Sequence, residues 1–417
     1  MVVLRGIESG LRRMLGQFGR ATELAEQAIG MYGGVPVRGL GEGASDAASL
    51  LFLLATAQLH MRQSDKASVH LRAVARSAAH EFERVRAVGA HALIEAVEGR
   101  ISSAAALVEE ISADIQDPAF AAVTLTHAIV AIDRALPDEA EELLAEVEAV
   151  APGTEFRLVI STGRIRIALL RDDPAAAGRI AQTVLHQQGP SSPYLRSFFQ
   201  EAYADSLIAR RRARRAAEVA RDPAVASDLT ASALGRALLM SGQTPQASLF
   251  ASQQLQRGSG AVRMLVSLNI VLAVAAARRS QGDEATATAK AAAELSAKHD
   301  LREPWRLVAP EDRQLLDEFC RDAIDRSLWE GMTMFARPLT IPTLSKREIA
   351  VLSAARTGKP LHLVAAELRV SVNTVKTQLR SAYKKLGANS RSEAIHDAYE
   401  WGILVPDRAG DRQRKGA

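Results

Sequence analysis

Apolar and polar positions follow a helical period through residues 344–404, in four short segments separated by residues that start and stop helices. Ser345 precedes Glu348, and Ser390 precedes Glu393, each by three positions. This spacing is typical of a capping box, in which two side chains satisfy the free N–H groups of a first helical turn. The pattern therefore predicts four short helices near the C-terminal end.

The third predicted helix begins after Ser371 and has two chemically different faces. Its apolar stripe consists of Val372, Val375, Leu379, Ala382 and Leu386. The opposite face carries Asn373, Lys376, Thr377, Arg380 and Lys384. Arg and Lys can bond guanine edges or phosphates in a DNA major groove, and Asn can bond adenine or a phosphate. A preceding helix, predicted over 361–368, joins it through three residues, which is the short connection of a helix-turn-helix.

This stretch resembles the LuxR-type DNA-binding domain over about 60 of the 417 residues. The matching residues are Leu344, Arg347, Glu348, Val351, Leu352, Gly358, Ala365, Leu368, Ser371, Thr374, Val375, Lys376, Leu379, Tyr383, Lys385, Leu386, Gly387, Arg391 and Ala394. Pro360, Gln378 and Ala382 depart from the usual family residues without removing a groove-facing side chain.

The resemblance implies a division of labour on the third helix and beside it. Lys376, Thr377 and Arg380 are expected to contact base edges. Phosphate contacts are expected from Asn373, Thr374, Tyr383, Lys384 and Arg391. The fourth helix of the family pairs two domains on DNA, so we also expect a homodimer on promoter DNA with half-sites about one helical turn apart.

A second pattern recurs through the first 300 residues: a polar break, then Ala, then apolar or small residues four and seven positions later. The leading alanines are 46, 37, 36, 36, 37, 34 and 38 residues apart, which indicates stacked helical hairpins. They are Ala21, Ala67, Ala104, Ala140, Ala176, Ala213, Ala247 and Ala285. A small residue lies twelve positions before most of them, where Arg164 and Glu201 are exceptions. This part resembles a tetratricopeptide array, although a non-repeating helical bundle would also fit.

The sequence thus predicts an all-α protein: a tetratricopeptide-like helical-repeat superhelix followed by a four-helix LuxR-type domain. The expected domains are a repeat body over 1–300, capping helices over 301–336, a linker over 337–343, the helix-turn-helix domain over 344–405 and a disordered tail over 406–417. Residues 31–43, with five glycines, are predicted to be a surface loop.

Charge and cysteine usage fit this division. Residues 337–417 carry a formal charge of +8, whereas the remainder carries −4, as expected for a DNA-binding module on a separate regulatory body. Cys320 is the only cysteine, and the start of the chain lacks a secretory signal. The longest apolar run, 264–277, is too short for a membrane span and is predicted to be a buried helix. We therefore expect a cytoplasmic protein.

No phosphate-binding loop or metal-ligand spacing is apparent, so neither a cofactor, nor a metal site, nor an enzymatic activity is expected. The chain resembles the C-terminal part of the large MalT-like regulators without their ATPase domain, so a standalone regulator and a fragment of a longer one both fit.

The function expected from the sequence is a bacterial transcriptional regulator. Its helical-repeat body would sense a small molecule or a protein in its concave groove, and RNA polymerase is a further partner to consider. Two alternatives remain open at this point: an adaptor whose C-terminal domain mainly dimerises or recruits a partner, and an enzyme that uses the body as a substrate platform.

Overall fold

The computed structural model describes residues 12, 17–31, 44–61, 63–78, 80–109, 111, 120–151, 156–186, 192–328, 332–336, 344–386, 388, 390–400 and 403–404. Within these ranges the regular secondary structure is helical throughout, so the protein is all-α. In the described part of the body up to residue 300 there are fifteen helices, and they alternate between two kinds of environment.

The first helices of the hairpins, which we call the inner helices, are buried along most of their length from α4 onward. They are α2 (Ala44–His60), α4 (Glu81–Glu98), α6 (Ala121–Asp133), α8 (Arg157–Leu170), α10 (Pro193–Ala209), α12 (Asp228–Met240) and α14 (Val262–Ala277). The outer helices bury one face only. They are α1 (Phe18–Met31), α3 (Ser64–Ser77), α5 (Ile101–Glu109), α7 (Pro137–Val150), α9 (Pro174–His186), α11 (Ala213–Ala220), α13 (Thr244–Leu255) and α15 (Gly282–His299).

The alanine pattern marks the outer helices, and small residues let them approach the inner ones closely. Gly163 on α8 illustrates this, since a Cβ there would lie 2.7 Å from Leu144 on the outer helix α7. Gly235 on α12 allows the same close approach between two inner helices, since its Cβ would lie 2.7 Å from Leu268 on α14. One register needs correction. In α9 the buried series is Ala177, Ala181 and Val184 rather than the series predicted from Ala176, which is half-buried. The apolar run 264–277 is the buried helix predicted.

The array turns far enough for separate hairpins to meet. The helix α4 ends at Gly99, whose φ of 93° lies in the left-handed region. A Cβ at Gly99 would lie 2.9 Å from the backbone N of Arg263 at the start of α14. The Arg263 guanidinium donates to the carbonyls of Val97 and Ala96, at 3.1 Å each, so it caps the end of α4 across 166 residues of sequence.

Residues 301–309 run along the inner side of the array instead of only closing its end. This segment, which we call the inner segment, includes the short helix α16 (Glu303–Arg306), and all of it except Arg302 is buried. It contacts α6, α8 and α14 together. Only the following helix, α17 (Pro310–Phe319), packs at the array's end, against α14 and α15. The prediction of capping helices over 301–336 therefore needs revision for 301–309, because charged partners on the inner helices hold this segment.

The C-terminal helices form a hydrophobic core of their own. They are α18 (Lys346–Ala355), α19 (Leu361–Leu368), α20 (Val372–Leu386) and α21 (Arg391–Glu400). The capping box of Ser345 and Glu348 is formed, and Ser390 accepts a hydrogen bond from the Glu393 N–H at 3.1 Å. The predicted linker 337–343, the tail 406–417 and most of the loop 31–43 lie outside the described residues. No helix among those described has the length and apolarity to cross a membrane.

Candidate nucleic-acid interface

The turn between α19 and α20 consists of three residues, as predicted: Arg369, Val370 and Ser371. Arg369 ends α19 with φ of 54°, and its N–H donates to the Ala366 carbonyl at 3.2 Å. Ser371 then caps α20, because its hydroxyl accepts from the Thr374 N–H at 3.1 Å and lies 2.8 Å from the Thr374 hydroxyl. This geometry is that of a helix-turn-helix, with α20 in the position of the recognition helix.

A buried carboxylate fixes α20 against α18. Glu348 accepts hydrogen bonds from the Ser381 hydroxyl at 2.7 Å and from the Lys385 ammonium at 2.8 Å, both on α20. It also accepts from the Ser345 N–H at 2.6 Å. Burial would raise the pKa of Glu348, but these donors outweigh burial and lower its pKa to about 2. The sequence predicted Glu348 as a capping residue and missed that it also anchors the recognition helix.

The polar face of α20 is exposed as predicted. Asn373, Thr374, Lys376, Thr377, Arg380 and Lys384 are all exposed, whereas Tyr383 is half-buried. The Thr377 hydroxyl donates to the Asn373 carbonyl at 2.9 Å. The opposite face packs Val375, Leu379, Ala382 and Leu386 into the domain core. The anchored helix thus presents two long cationic side chains, Lys376 and Arg380, one turn apart to solvent.

Val372 was predicted to belong to the apolar stripe, and this is wrong. It is 37% exposed and lies beside Val370, which is 39% exposed. As the first residue of α20 it stands next to the turn, one helical turn before the first buried position, Val375. These two exposed valines therefore form a small apolar area beside the polar face, at the N-terminal end of α20.

Arg391 has a different environment from the other predicted site residues. Its guanidinium donates to the Lys359 carbonyl at 2.9 Å and to the Ala355 carbonyl. It therefore holds the start of α21 against the end of α18. The phosphate contact that the resemblance implies for Arg391 would have to form while its guanidinium also donates to these two carbonyls.

A family model described as bacterial regulatory proteins of the luxR family matches residues 342–398. This C-terminal segment is a LuxR-type helix-turn-helix domain. The LuxR-type domain is 47% identical over 64 residues to the transcriptional regulatory protein YdfI of Bacillus subtilis, a match that covers 15% of this chain and 30% of YdfI.

Two further curated relatives give similar coverage. The probable transcriptional regulatory protein NarL of Mycobacterium tuberculosis is 36% identical over 88 residues, 20% of this chain and 40% of NarL. The HTH-type transcriptional activator RamA of Corynebacterium glutamicum is 34% identical over 95 residues, 22% of this chain and 34% of RamA. The chain thus spans less than half the length of these relatives.

One solved structure with similar helices is the APC/C hetero-tetramer Cut9-Hcn1. It is 12% identical, with 95% of this chain and 85% of that chain covered, at a TM-score of 0.29. The description of the body as stacked hairpins rests on the helices of this protein itself.

The inner side of the body holds a charged cluster that the sequence did not predict. The Arg236 guanidinium donates to both oxygens of Asp205, at 2.9 and 2.8 Å, and to Glu201 at 3.3 Å. Arg166 donates to Glu201 at 3.1 Å and stacks over the Phe198 ring at 4.7 Å. Burial raises the pKa of Asp205 to about 6 despite Arg236. The sequence signalled this cluster only through Glu201, which with Arg164 is one of the two exceptions at a position that is otherwise small.

This cluster changes the expectation of a concave groove open to an effector. The inner segment occupies that side of the array, and Arg166 and Arg263 pair with its Glu303. A cavity of about 180 Å³ lies elsewhere, lined by Ser49, Phe52, Leu53, Val74, Glu83 and Arg86 near the first described hairpins. Among the residues that the structure describes, no group of three or more His, Cys, Asp or Glu is arranged to hold a metal ion.

Proposed function

We propose that the protein regulates transcription by binding promoter DNA through its LuxR-type domain. The observation that carries this proposal is the exposed cationic face of α20 on a helix that Glu348 anchors from behind. Anchoring matters because a base contact is specific only if the backbone that bears the side chain is fixed relative to the groove.

Within this proposal, Lys376, Thr377 and Arg380 contact base edges. Asn373, Thr374, Tyr383, Lys384 and Arg391 contact phosphates, with Arg391 also clamping α21. Two domains bind together as a homodimer, since the family resemblance implies pairing through the fourth helix. Half-buried Ile395 and Tyr399 are the described apolar residues of α21 that keep some surface for this role, whereas Ala394 and Ala398 are buried in the domain's own core.

The body is proposed to control the LuxR-type domain in response to a small-molecule or protein effector. About 300 residues of hairpins are not needed to stabilise a domain with its own core and caps. The body carries net negative charge and the C-terminal part net positive charge, which favours a docked state that an effector would shift. Recruitment of RNA polymerase by a rigid body is the competing scaffold hypothesis.

The DNA-binding test starts from duplexes selected from a random library by the full chain. Lys376→Ala and Arg380→Ala are each expected to weaken binding to the selected duplex by about 1–3 kcal/mol, measured by fluorescence anisotropy at fixed salt. Lys346→Ala, an exposed lysine on α18, is the matched control and should change affinity little. Circular dichroism establishes that each variant is folded. Unchanged affinity in both α20 variants would show that α20 does not read DNA.

The control hypothesis is tested by comparing the full chain with residues 337–417 on the same duplex, both as enforced dimers. Tighter binding by the isolated piece supports control by the body. If the full chain and residues 337–417 bind the duplex equally tightly, and cell extract does not change the affinity of the full chain, the recruiting scaffold is favoured instead. If residues 337–417 do not shift any selected duplex, the adaptor hypothesis becomes the better explanation.

A further inference from the structure

The inner segment contacts the body through its backbone in a way that does not depend on its side chains. The carboxylate of Asp133, at the end of α6, accepts from the Arg302 N–H at 3.1 and 3.0 Å and from the Glu303 N–H at 2.8 Å. Asp133 is buried, and burial raises its pKa to about 6. Any peptide with two adjacent free N–H groups can satisfy this acceptor.

The Glu303 carboxylate provides a second, chemically specific contact. Its Oε1 lies 2.7 Å from Arg166 Nε, and its Oε2 pairs with Arg263. All three side chains are at least 97% buried. Glu303 is the carboxylate that forms an ion pair with Arg263 among the described residues, so removal of the segment would leave this buried guanidinium with only the more distant charges of Glu201 and Asp133. The two arginines therefore constitute a carboxylate-binding site on the inner helices.

The third contact lies two residues later. Trp305 is fully buried in the core of the body, and its indole N–H donates to the Ser296 hydroxyl at 2.8 Å. The space it fills accepts a large aromatic ring with one hydrogen-bond donor. Together the three contacts define a recognised sequence: a carboxylate residue, any residue, then a large aromatic residue.

The inner segment is also bonded to the residues just before the predicted linker. The Met334 N–H and the Thr333 hydroxyl both donate to the Arg306 carbonyl, at 3.0 and 3.1 Å. Arg313 joins the two stretches, since it donates to the Trp305 carbonyl at 3.2 Å and to the Thr333 hydroxyl at 2.7 Å. Displacement of the inner segment would thus remove these hydrogen bonds from the chain that leads to the LuxR-type domain, where buried Met334 and Phe335 supply the remaining contacts with the body.

We propose that this side of the body is a peptide-binding site that residues 302–305 occupy in the same chain, and that it accepts an acidic-x-aromatic peptide of a partner protein in exchange. The partner's carboxylate takes the place of Glu303 between Arg166 and Arg263. Its aromatic ring takes the place of Trp305, and its N–H groups bind Asp133. The freed segment then releases residues 332–336, and only this last step, the effect on DNA binding, rests on the proposed function.

Exchange is physically reasonable because the inner helices also pack directly on one another, so the array does not depend on the segment alone. A buried ion pair adds little net stability relative to an apolar substitute, since desolvation offsets the attraction. What the ionic contacts supply is selectivity for a carboxylate. A competing peptide can reproduce each contact that the segment makes with the body.

The test uses the full chain with Glu303→Gln, which keeps the shape of the segment and removes its charge. The probe is a labelled, end-blocked peptide of residues 299–311, HDLREPWRLVAPE. The control peptide is identical except for Gln in place of Glu at the position of residue 303. We expect saturable binding of the acidic peptide in fluorescence anisotropy, at least tenfold tighter than that of the control. Both peptides are measured on the same Glu303→Gln chain, so a difference between their affinities cannot come from a change in the fold of the receptor. Equal binding of the two peptides, or no binding to a folded Glu303→Gln chain, would overturn the proposal.

Hydrogen exchange of the wild-type chain provides an independent test. It can be carried out even if the Glu303→Gln variant does not fold. The amides of 301–309 and 332–336 are expected to open together, at a lower free energy than those of α6 and α8. Opening only with the whole body would contradict an exchangeable segment.

The last comparison adds the acidic peptide to the Glu303→Gln chain on the selected DNA duplex. A change in DNA affinity supports release of the linker anchor. Peptide binding without that change leaves the peptide site standing and shows that the body does not control the LuxR-type domain by this route.

Discussion

Two buried aspartates of the body and one buried glutamate of the LuxR-type domain have pKa values displaced in opposite directions. In the LuxR-type domain, Glu348 sits at a helix start, where three donors approach it and its pKa falls to about 2. In the body, Asp133 and Asp205 lie deep among the inner helices, and burial raises their pKa to about 6 even beside arginines. The difference shows that a carboxylate near a domain edge stabilises through local hydrogen bonds. Deep in the body the cost of desolvation dominates at Asp133 and Asp205, whereas at the equally buried Glu303 the charges of Arg166, Arg263 and Arg236 outweigh desolvation and lower the pKa.

The largest effect is expected from a break in the body's cluster. Arg263→Met should destabilise the body by about 3–5 kcal/mol, since it leaves Glu303 buried without Arg263 and removes two donors from the end of α4. Urea unfolding followed by circular dichroism measures this. Lys385→Met, which removes one exposed donor from the buried Glu348 carboxylate, is the counterpart in the LuxR-type domain. A loss as large as that of Arg263→Met would contradict the contrast between the regions.

A smaller effect is expected at the contact between distant hairpins. Gly99→Ala should cost about 2–4 kcal/mol, because the left-handed backbone disfavours a Cβ and the Cβ would also meet the backbone of Arg263. Gly242→Ala is the matched control, with φ of 79° and no atom within 4 Å of its Cβ. It should lose only the conformational part, about 1–2 kcal/mol. Equal losses, measured by urea unfolding of both variants, would mean that the contact with α14 is not tight.

The anchor of the recognition helix is expected to matter less for stability than for DNA binding. Glu348→Gln keeps the capping geometry and replaces charge-assisted bonds with neutral ones, at a cost of about 1–2 kcal/mol. The thermal midpoint of residues 337–417 reports the stability change, and anisotropy on the selected duplex reports binding. Weaker specific binding by a variant that is fully folded at the assay temperature would indicate that orientation of α20 is the function of Glu348. Unchanged binding would remove that role.

The smallest expected effect is the pH dependence, and its sign differs between the regions. Asp205 has a raised pKa, so the folded body binds more protons than the unfolded chain between about pH 4 and 6. Stability of the wild type relative to Asp205→Asn should therefore increase by about 1 kcal/mol as the pH falls from 7 to 5. Glu348 has a lowered pKa, so its contribution is present above pH 4.5 and is lost as the pH falls toward 2. Wild type and Glu348→Gln should keep a constant difference between pH 7 and 5. Parallel pH profiles in the two regions, from urea titrations at each pH, would contradict the assigned environments.

The sequence by itself determined the LuxR-type domain almost completely. The capping box at Ser345, the cap at Ser371 and the apolar positions of α20 are interactions within four residues along the chain, so they can be recognised without a structure. The error at Val372 arose because the helical period assigns a residue to a face of its own helix. It does not show whether a neighbouring helix extends far enough to cover that residue. The hairpin period of the body was equally visible, since it reflects small residues where adjacent helices meet.

Tertiary structure alone decided what fills the inner side of the body. Arg164 and Glu201 both interrupt the same small-residue position, and the sequence treats them alike. In the structure Arg164 pairs with Glu141 and Glu148 near the surface, whereas Glu201 joins the buried cluster. Glu201 lies between Arg166 and Arg236 of the neighbouring inner helices. The curvature of the array brings Arg263 to the end of α4 across more than 160 residues. It results from small angles accumulated over many hairpin interfaces, and no local pattern in the chain records their sum.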